Sequence, residues 1–186
     1  MGGLRRAASR GRKQGMFPEP LLTGAAKLIV SCRAARLTIA TAESCTGGLL
    51  AGLITAIPGA SDVFERGFVT YSDSAKIESL GVAPQILERF GAVSAEAARA
   101  MAAGAIAHSP AGLALSITGI AGPGGGSLGK PIGLVYFGMA RRGAGVAIVE
   151  KRFGALGRDA VRFAAIAMAI ELLLDAARDL DGARLS

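Results

Sequence analysis

The chain has 186 residues, enough for one ordinary domain that buries about two-thirds of the surface its unfolded form exposes. At 51% hydrophobic residues, with 27 glycines and no tryptophan, the composition is that of a compact protein with many tight turns and excludes a disordered one. The net charge of +7 suggests nucleic acid until it is mapped: Arg5, Arg6, Arg10, Arg12 and Lys13 against Glu19 fall in the first twenty residues, and the remaining net +3 forms no basic cluster among aromatics.

Residues 1–20 are Arg-rich and acid-poor but lack the apolar stretch of a secretory signal. They are expected to be a disordered basic tail ahead of a single domain over 21–186. Residues 21–36 have helical spacing, with Leu22, Ala26, Ile29 and Val30 on one side. Residues 37–43 alternate and are β-branched, a strand that runs straight into Ser44-Cys45-Thr46-Gly47-Gly48. A helix over 49–57 is stopped by Pro58-Gly59. Residues 63–72 read as a second strand, and 73–80 as a short helix capped by Ser72 and ended by Gly81.

Another helical piece covers 84–90, and Ser94 caps an Ala-rich helix reaching His108. Residues 113–118 form a third strand entering a glycine-rich run over 119–129. Strands over 132–140 and 146–153 flank Arg141-Arg142-Gly143-Ala144-Gly145, an antiparallel hairpin, and an amphipathic helix over 158–180 closes the chain. Alternating strands and helices argue a parallel sheet covered on both faces, which the hairpin makes mixed. The expected fold class is α/β, a three-layer α/β/α sandwich with a mixed, mostly parallel sheet. Cys32, Cys45 and His108 are too few for a zinc site, and cysteine usage this sparse fits the cytoplasm. The apolar stretch 163–170 is bounded by Arg162 and Glu171 and is too short to cross a bilayer.

In parallel sheets ligands gather at the carboxyl ends of the strands. Three polar or glycine-rich segments are expected there, 43–48, 71–76 and 119–129. Ser44 stands where a strand gives way to a helix, whose N-terminal N–H groups suit an oxyanion or a phosphate. Ser44 or Thr46 is alternatively only the helix N-cap. A serine nucleophile needs a base, and Lys76 in the first turn of its helix is a candidate. The helix dipole and burial both lower a lysine pKa there, while the nearby Asp73 raises it. Tyr71, whose hydroxyl is placed to pass a proton or orient the serine, completes a Ser–Tyr–Lys set.

Gly124, Gly126 and Gly129 fit a dinucleotide fingerprint, and Gly124, Gly129 and Lys130 fit most of a phosphate-binding P-loop. Both patterns need a helix next. Here Pro131 stands where the Ser/Thr belongs, and a strand follows, so the run is read as a loop approaching a ligand closely.

Residues 41–48 (TAESCTGG), 69–76 (VTYSDSAK) and 116–126 (SITGIAGPGGG), followed by Lys130-Pro131, together resemble the CinA C-terminal domain family, over about 21–178. The resemblance implies an α/β/α fold, homodimers, and metal-free and cofactor-free deamidation of nicotinamide mononucleotide to nicotinate mononucleotide and ammonia. It places the catalytic residues on Ser44, Tyr71 and Lys76. It places substrate contacts on Glu43, Cys45, Thr46 and Gly47 and on Thr118, Gly119, Ala121 and Gly122. Asp73 departs from the asparagine common in the family, and Ser127-Leu128-Gly129 from a stretch that often holds threonine and proline.

In the mechanism expected, a neutral Lys76 takes the Ser44 proton directly or through Tyr71, and N–H groups around Thr46 and Gly47 hold the oxyanion. The substrate phosphate is expected against the 119–126 backbone or a basic residue such as Arg158. Cys45 is the rival nucleophile. The alternative function is a non-catalytic, competence- or damage-associated nucleotide-binding protein of the same family. No membrane or nucleic-acid partner is expected.

Overall fold

The computed structural model describes residues 15–182, with side chains to Arg178. The basic residues of the expected tail therefore lie outside the described residues. The tail's end does not: Phe17 is buried in the core and the first helix, α1 (Glu19–Ala34), already includes Glu19 and Pro20. Proline in the first turn and an acid at the positive end of the dipole favour a start there rather than at residue 21.

α1 buries Leu21, Ala25, Leu28, Ile29 and Cys32, while Val30 stays exposed. The buried stripe is therefore displaced from the expected Leu22, Ala26, Ile29 and Val30. The helix ends where Arg36 takes a left-handed φ of 53° and Leu37 N–H donates to Cys32 O at 2.8 Å. That 6→1 closure uses Leu37 as connector, so the first strand, β1 (Ile39–Glu43), starts two residues later than expected.

After β1 come α2 (Leu49–Thr55), β2 (Phe64–Val69), α3 (Asp73–Leu80), α4 (Pro84–Phe90) and α5 (Ala95–Ala107). Then follow β3 (Leu113–Gly119), β4 (Leu134–Arg141), β5 (Val146–Arg152) and α6 (Arg158–Gly182). One five-stranded sheet has the order β2-β1-β3-β4-β5. β1 pairs parallel with β2 and β3, and the hairpin adds antiparallel β3–β4 and β4–β5 pairs, so only β4 runs against the others.

β1 is buried at all five positions because helices cover both faces, and the alternation expected for it shows as a difference in size rather than exposure. Ile39 packs with Leu115, Ile117, Val135 and Phe137 against α1, α2 and α6. Ala40, Ala42, Ala114 and Ala140 face α3, α4 and α5 on the other side. Small residues there let α5 approach the sheet: a Cβ on Gly138 would meet Ala98 O at 2.5 Å and Ser116 Oγ at 2.6 Å. Among the described residues no helix is long and apolar enough to cross a membrane.

Candidate active site

At the carboxyl edge of β1, Glu43 lies opposite Val69 of β2 and Ile117 of β3, so the three following loops start side by side. Ser44 N–H donates to Ile117 O at 2.9 Å, and the Ser44 side chain is almost buried. The chain then turns through Gly47 (φ 60°) and Gly48 (φ 92°), a left-handed pair that glycine adopts without strain. Gly47 N–H closes the turn by donating to Ser44 O at 3.0 Å.

Glu43 is fully buried, and its carboxylate accepts from the N–H groups of Gly48 (3.0 Å), Leu50 (3.0 Å) and Ala51 (2.8 Å). It caps α2 from outside the helix, satisfying donors the helix cannot. Glu43, expected as a substrate contact, has its carboxylate engaged by these three amides and so organises the loop. The same bonds occupy the amides a helix start would otherwise offer to an anion. Ser44 and Thr46 are not the side-chain cap of α2.

Lys76 is the largest fully buried side chain of the described residues. Ser72 caps α3 by accepting from Ala75 N–H at 3.1 Å, which fixes the helix start and turns Lys76 back over the end of β2. Its Nζ donates to Thr70 O (2.9 Å), Tyr71 O (3.3 Å), Ser72 O (3.5 Å) and Ser44 Oγ (3.2 Å). Among the described residues it has no carboxylate in an ion pair. Burial pulls its pKa below the ordinary 10.5, opposed chiefly by the charge of Asp73. A neutral amine has two N–H bonds and one lone pair. Of the four oxygens around Nζ an ammonium serves three as donor, whereas the neutral amine serves two carbonyls and accepts the Ser44 hydroxyl proton on its lone pair.

Tyr71 is exposed, and its hydroxyl accepts from Arg158 Nη2 at 3.0 Å. It meets Lys76 through its backbone carbonyl, so the Ser44–Lys76 contact is direct and no phenol bridges it. Arg158 Nη1 also donates to Gly122 O at 2.9 Å, so this one guanidinium joins the Tyr71 segment to the glycine-rich loop. Lys130 fastens that loop to the end of α4 through Phe90 O at 2.5 Å.

The remaining expected contacts divide. Thr118 is buried and its hydroxyl donates to Ala92 O at 2.6 Å, and Ala121 belongs to the core, so neither lines an open wall. Gly119 lies against β4, where a Cβ would meet Leu134 O at 2.7 Å. Gly122 offers its carbonyl to Arg158 Nη1 at 2.9 Å. Cys45 is buried in the core, and burial raises its thiol to about 11, with its own N–H and Arg162 opposing the rise. A thiol held that high is a poor nucleophile near neutral pH. Gly47 N–H is already engaged, which removes it as an oxyanion donor. Thr46 N–H has no acceptor among the described hydrogen bonds, and Thr46 Oγ1 is a buried hydroxyl without a partner.

Arg162, which sequence reasoning did not single out, donates from Nη2 to Thr46 O at 2.9 Å. Its signal was available: Arg158 and Arg162 are one turn apart at the start of a helix, where the dipole disfavours cations.

The family model for the CinA C-terminal domain matches residues 22–177. A CinA-like protein of Akkermansia muciniphila is 50% identical over 142 residues, 76% of this chain and 34% of its own length. One of Chlorobium phaeovibrioides is 56% identical over 108 residues, 58% of this chain and 25% of its own. The chain thus spans about a quarter to a third of the curated relatives it matches. Among solved structures, the competence/damage inducible protein CihA of Agrobacterium tumefaciens superposes with a TM-score of 0.85 at 45% identity, covering 87% of this chain and 98% of that one. A CinA superfamily protein of Klebsiella pneumoniae gives 0.81 at 31% identity, covering 86% and 98%.

Proposed function

This chain belongs to the CinA C-terminal domain family, and on that premise we propose that it hydrolyses the carboxamide of nicotinamide mononucleotide, with Ser44 as nucleophile and Lys76 as base. The observation that carries the reading is the buried Lys76 Nζ at 3.2 Å from Ser44 Oγ, with no carboxylate in an ion pair among the described residues. Burying an amine without an ion pair costs folding free energy and lowers its pKa, which favours the neutral form that can accept a proton.

Lys76, neutral in the active form, accepts the Ser44 proton as Oγ attacks the amide carbon. The oxyanion is assigned to Thr46 N–H, which has no acceptor among the described hydrogen bonds. Lys76 then returns the proton to the departing ammonia, and a water attacks the acyl-serine with Lys76 again as base. Tyr71 orients Arg158 rather than relaying the proton. Arg158 is the proposed contact for the substrate phosphate, since its guanidinium stands between both walls without a carboxylate partner among the described residues. A cavity of about 620 Å³ lies between residues 123–128 and Gly154-Ala155 on the glycine-rich loop, and none of Ser44, Tyr71, Lys76 or Arg158 lines it. We further propose that the protein acts as a cytoplasmic homodimer without metal or cofactor.

Ammonia release from nicotinamide mononucleotide tests this, repeated with Ser44→Ala and Lys76→Met. Tight binding of the mononucleotide with no ammonia released would instead favour the non-catalytic nucleotide-binding protein.

A further inference from the structure

The peptide plane formed by Thr46 C=O and Gly47 N–H is held at both ends. Its N–H donates to Ser44 O at 3.0 Å, and its carbonyl accepts from Leu49 N–H at 3.3 Å and from Arg162 Nη2 at 2.9 Å. Two left-handed glycines make this stretch soft, so external contacts decide its orientation. Of these three contacts only Arg162 comes from a distant element, α6.

The placement of Arg162 is locally unfavourable. Its Nε is buried without an acceptor, and its carboxylate neighbour Asp159 is 3.8 Å away and largely exposed. A cation near a helix N-terminus also opposes the dipole. Residues that break local rules without a stabilising return concentrate at functional sites. Gly47 is required here by its left-handed φ of 60°, not by space, since a Cβ would make only ordinary contact with Arg162 Nη2 at 3.6 Å.

We propose that Arg162 is a positioning residue for amide hydrolysis: by holding the Thr46 carbonyl it fixes the Thr46–Gly47 plane, and through the Gly47–Ser44 bond it fixes the nucleophile and the Thr46 amide. Its charge polarises that plane and strengthens the Gly47 N–H donation to Ser44. The proposal rests on Ser44 being the nucleophile, but the holding of the loop can be read separately.

The experiment uses the full chain with Arg162→Met and Arg162→Lys, measuring ammonia release from nicotinamide mononucleotide alongside amide hydrogen exchange of residues 44–48. For Arg162→Met the expected result is kcat down by about 10- to 100-fold with KM within about threefold, as for lost transition-state positioning. Added guanidinium is expected to recover part of that loss, Arg162→Lys to keep an intermediate rate, and exchange at 44–48 to rise while α6 stays protected. Unchanged kcat, or a kcat loss that tracks thermal destabilisation with no guanidinium rescue, overturns the proposal. If the wild type releases no ammonia, the enzyme reading fails, and exchange alone decides: faster exchange at 44–48 in Arg162→Met supports the holding role, and unchanged exchange overturns it.

Discussion

Glu43 and Lys76 flank the same serine, and both are fully buried, yet their surroundings are opposite in kind. Glu43 receives three backbone N–H groups at 2.8–3.0 Å, the partners a carboxylate needs when water is removed. Lys76 receives carbonyls and a hydroxyl but no ion pair with a carboxylate among the described residues. Burial of a charge-bearing group therefore does not mark the chemistry by itself. The partners differ: a carboxyl group held by three amides builds the loop, and an amine among carbonyls and a hydroxyl is the group we propose for the chemistry.

Breaking the two ends should give different failures. Ser44→Ala or Lys76→Met is expected to lower ammonia release by about 10³-fold or more while the fold persists, because general-base catalysis and its nucleophile act as a unit. Glu43→Gln is expected to destabilise the fold by about 2–4 kcal/mol in denaturant unfolding, since the amide offers one acceptor oxygen and turns an N–H toward existing donors. Comparable loss of stability in Lys76→Met and Glu43→Gln would erase the distinction.

The pH dependence sharpens the contrast. With the folded pKa of Lys76 lowered below 10.5, the unfolded chain binds the extra proton between the two values. Stability therefore rises with pH across that window, and the penalty is fully present below the folded pKa. Lys76→Met should gain most stability over the wild type below that pKa and converge with it above 10.5. A difference independent of pH would contradict the shift.

Smaller effects are expected further from the dyad. Tyr71→Phe keeps the carbonyl that Lys76 uses and loses only the bond to Arg158, so a rate loss of less than about tenfold is expected, far below a base's contribution. A loss as large as that of Lys76→Met would restore the tyrosine to a proton relay. Cys45→Ala should leave ammonia release within about threefold, since the thiol ionises only near 11. Abolished activity there would transfer the nucleophile to the thiol.

Much of this was legible in the sequence for reasons that are local. The Ser72 cap, the lysine one turn later and the Pro58-Gly59 stop are short-range signals, and the structure reproduces their consequences in α2 and α3. What was not legible is tertiary. Tyr71 and Lys76 share a segment, but the edge position of β2 leaves the phenol exposed and turns its hydroxyl to Arg158, 87 residues on. Nothing near Glu43 in the sequence says that its carboxylate will fold over onto α2 rather than face a ligand. Thr118, expected as a substrate contact, has its hydroxyl on a carbonyl between α4 and α5 that only the packed layers supply. Arg162 shows in the sequence only as a cation at a helix start, and its partner, the Thr46 carbonyl, is supplied where α6 crosses the serine loop.

The central claim is that an uncharged Lys76 amine takes the serine proton. Nitrogen NMR of Lys76 Nζ across pH, set beside the pH profile of ammonia release from nicotinamide mononucleotide, reads it directly. The account predicts one ionisation below 10.5 that appears in both curves, with activity rising as the proton leaves. An amine that stays protonated through the pH range where the enzyme is fully active would contradict it.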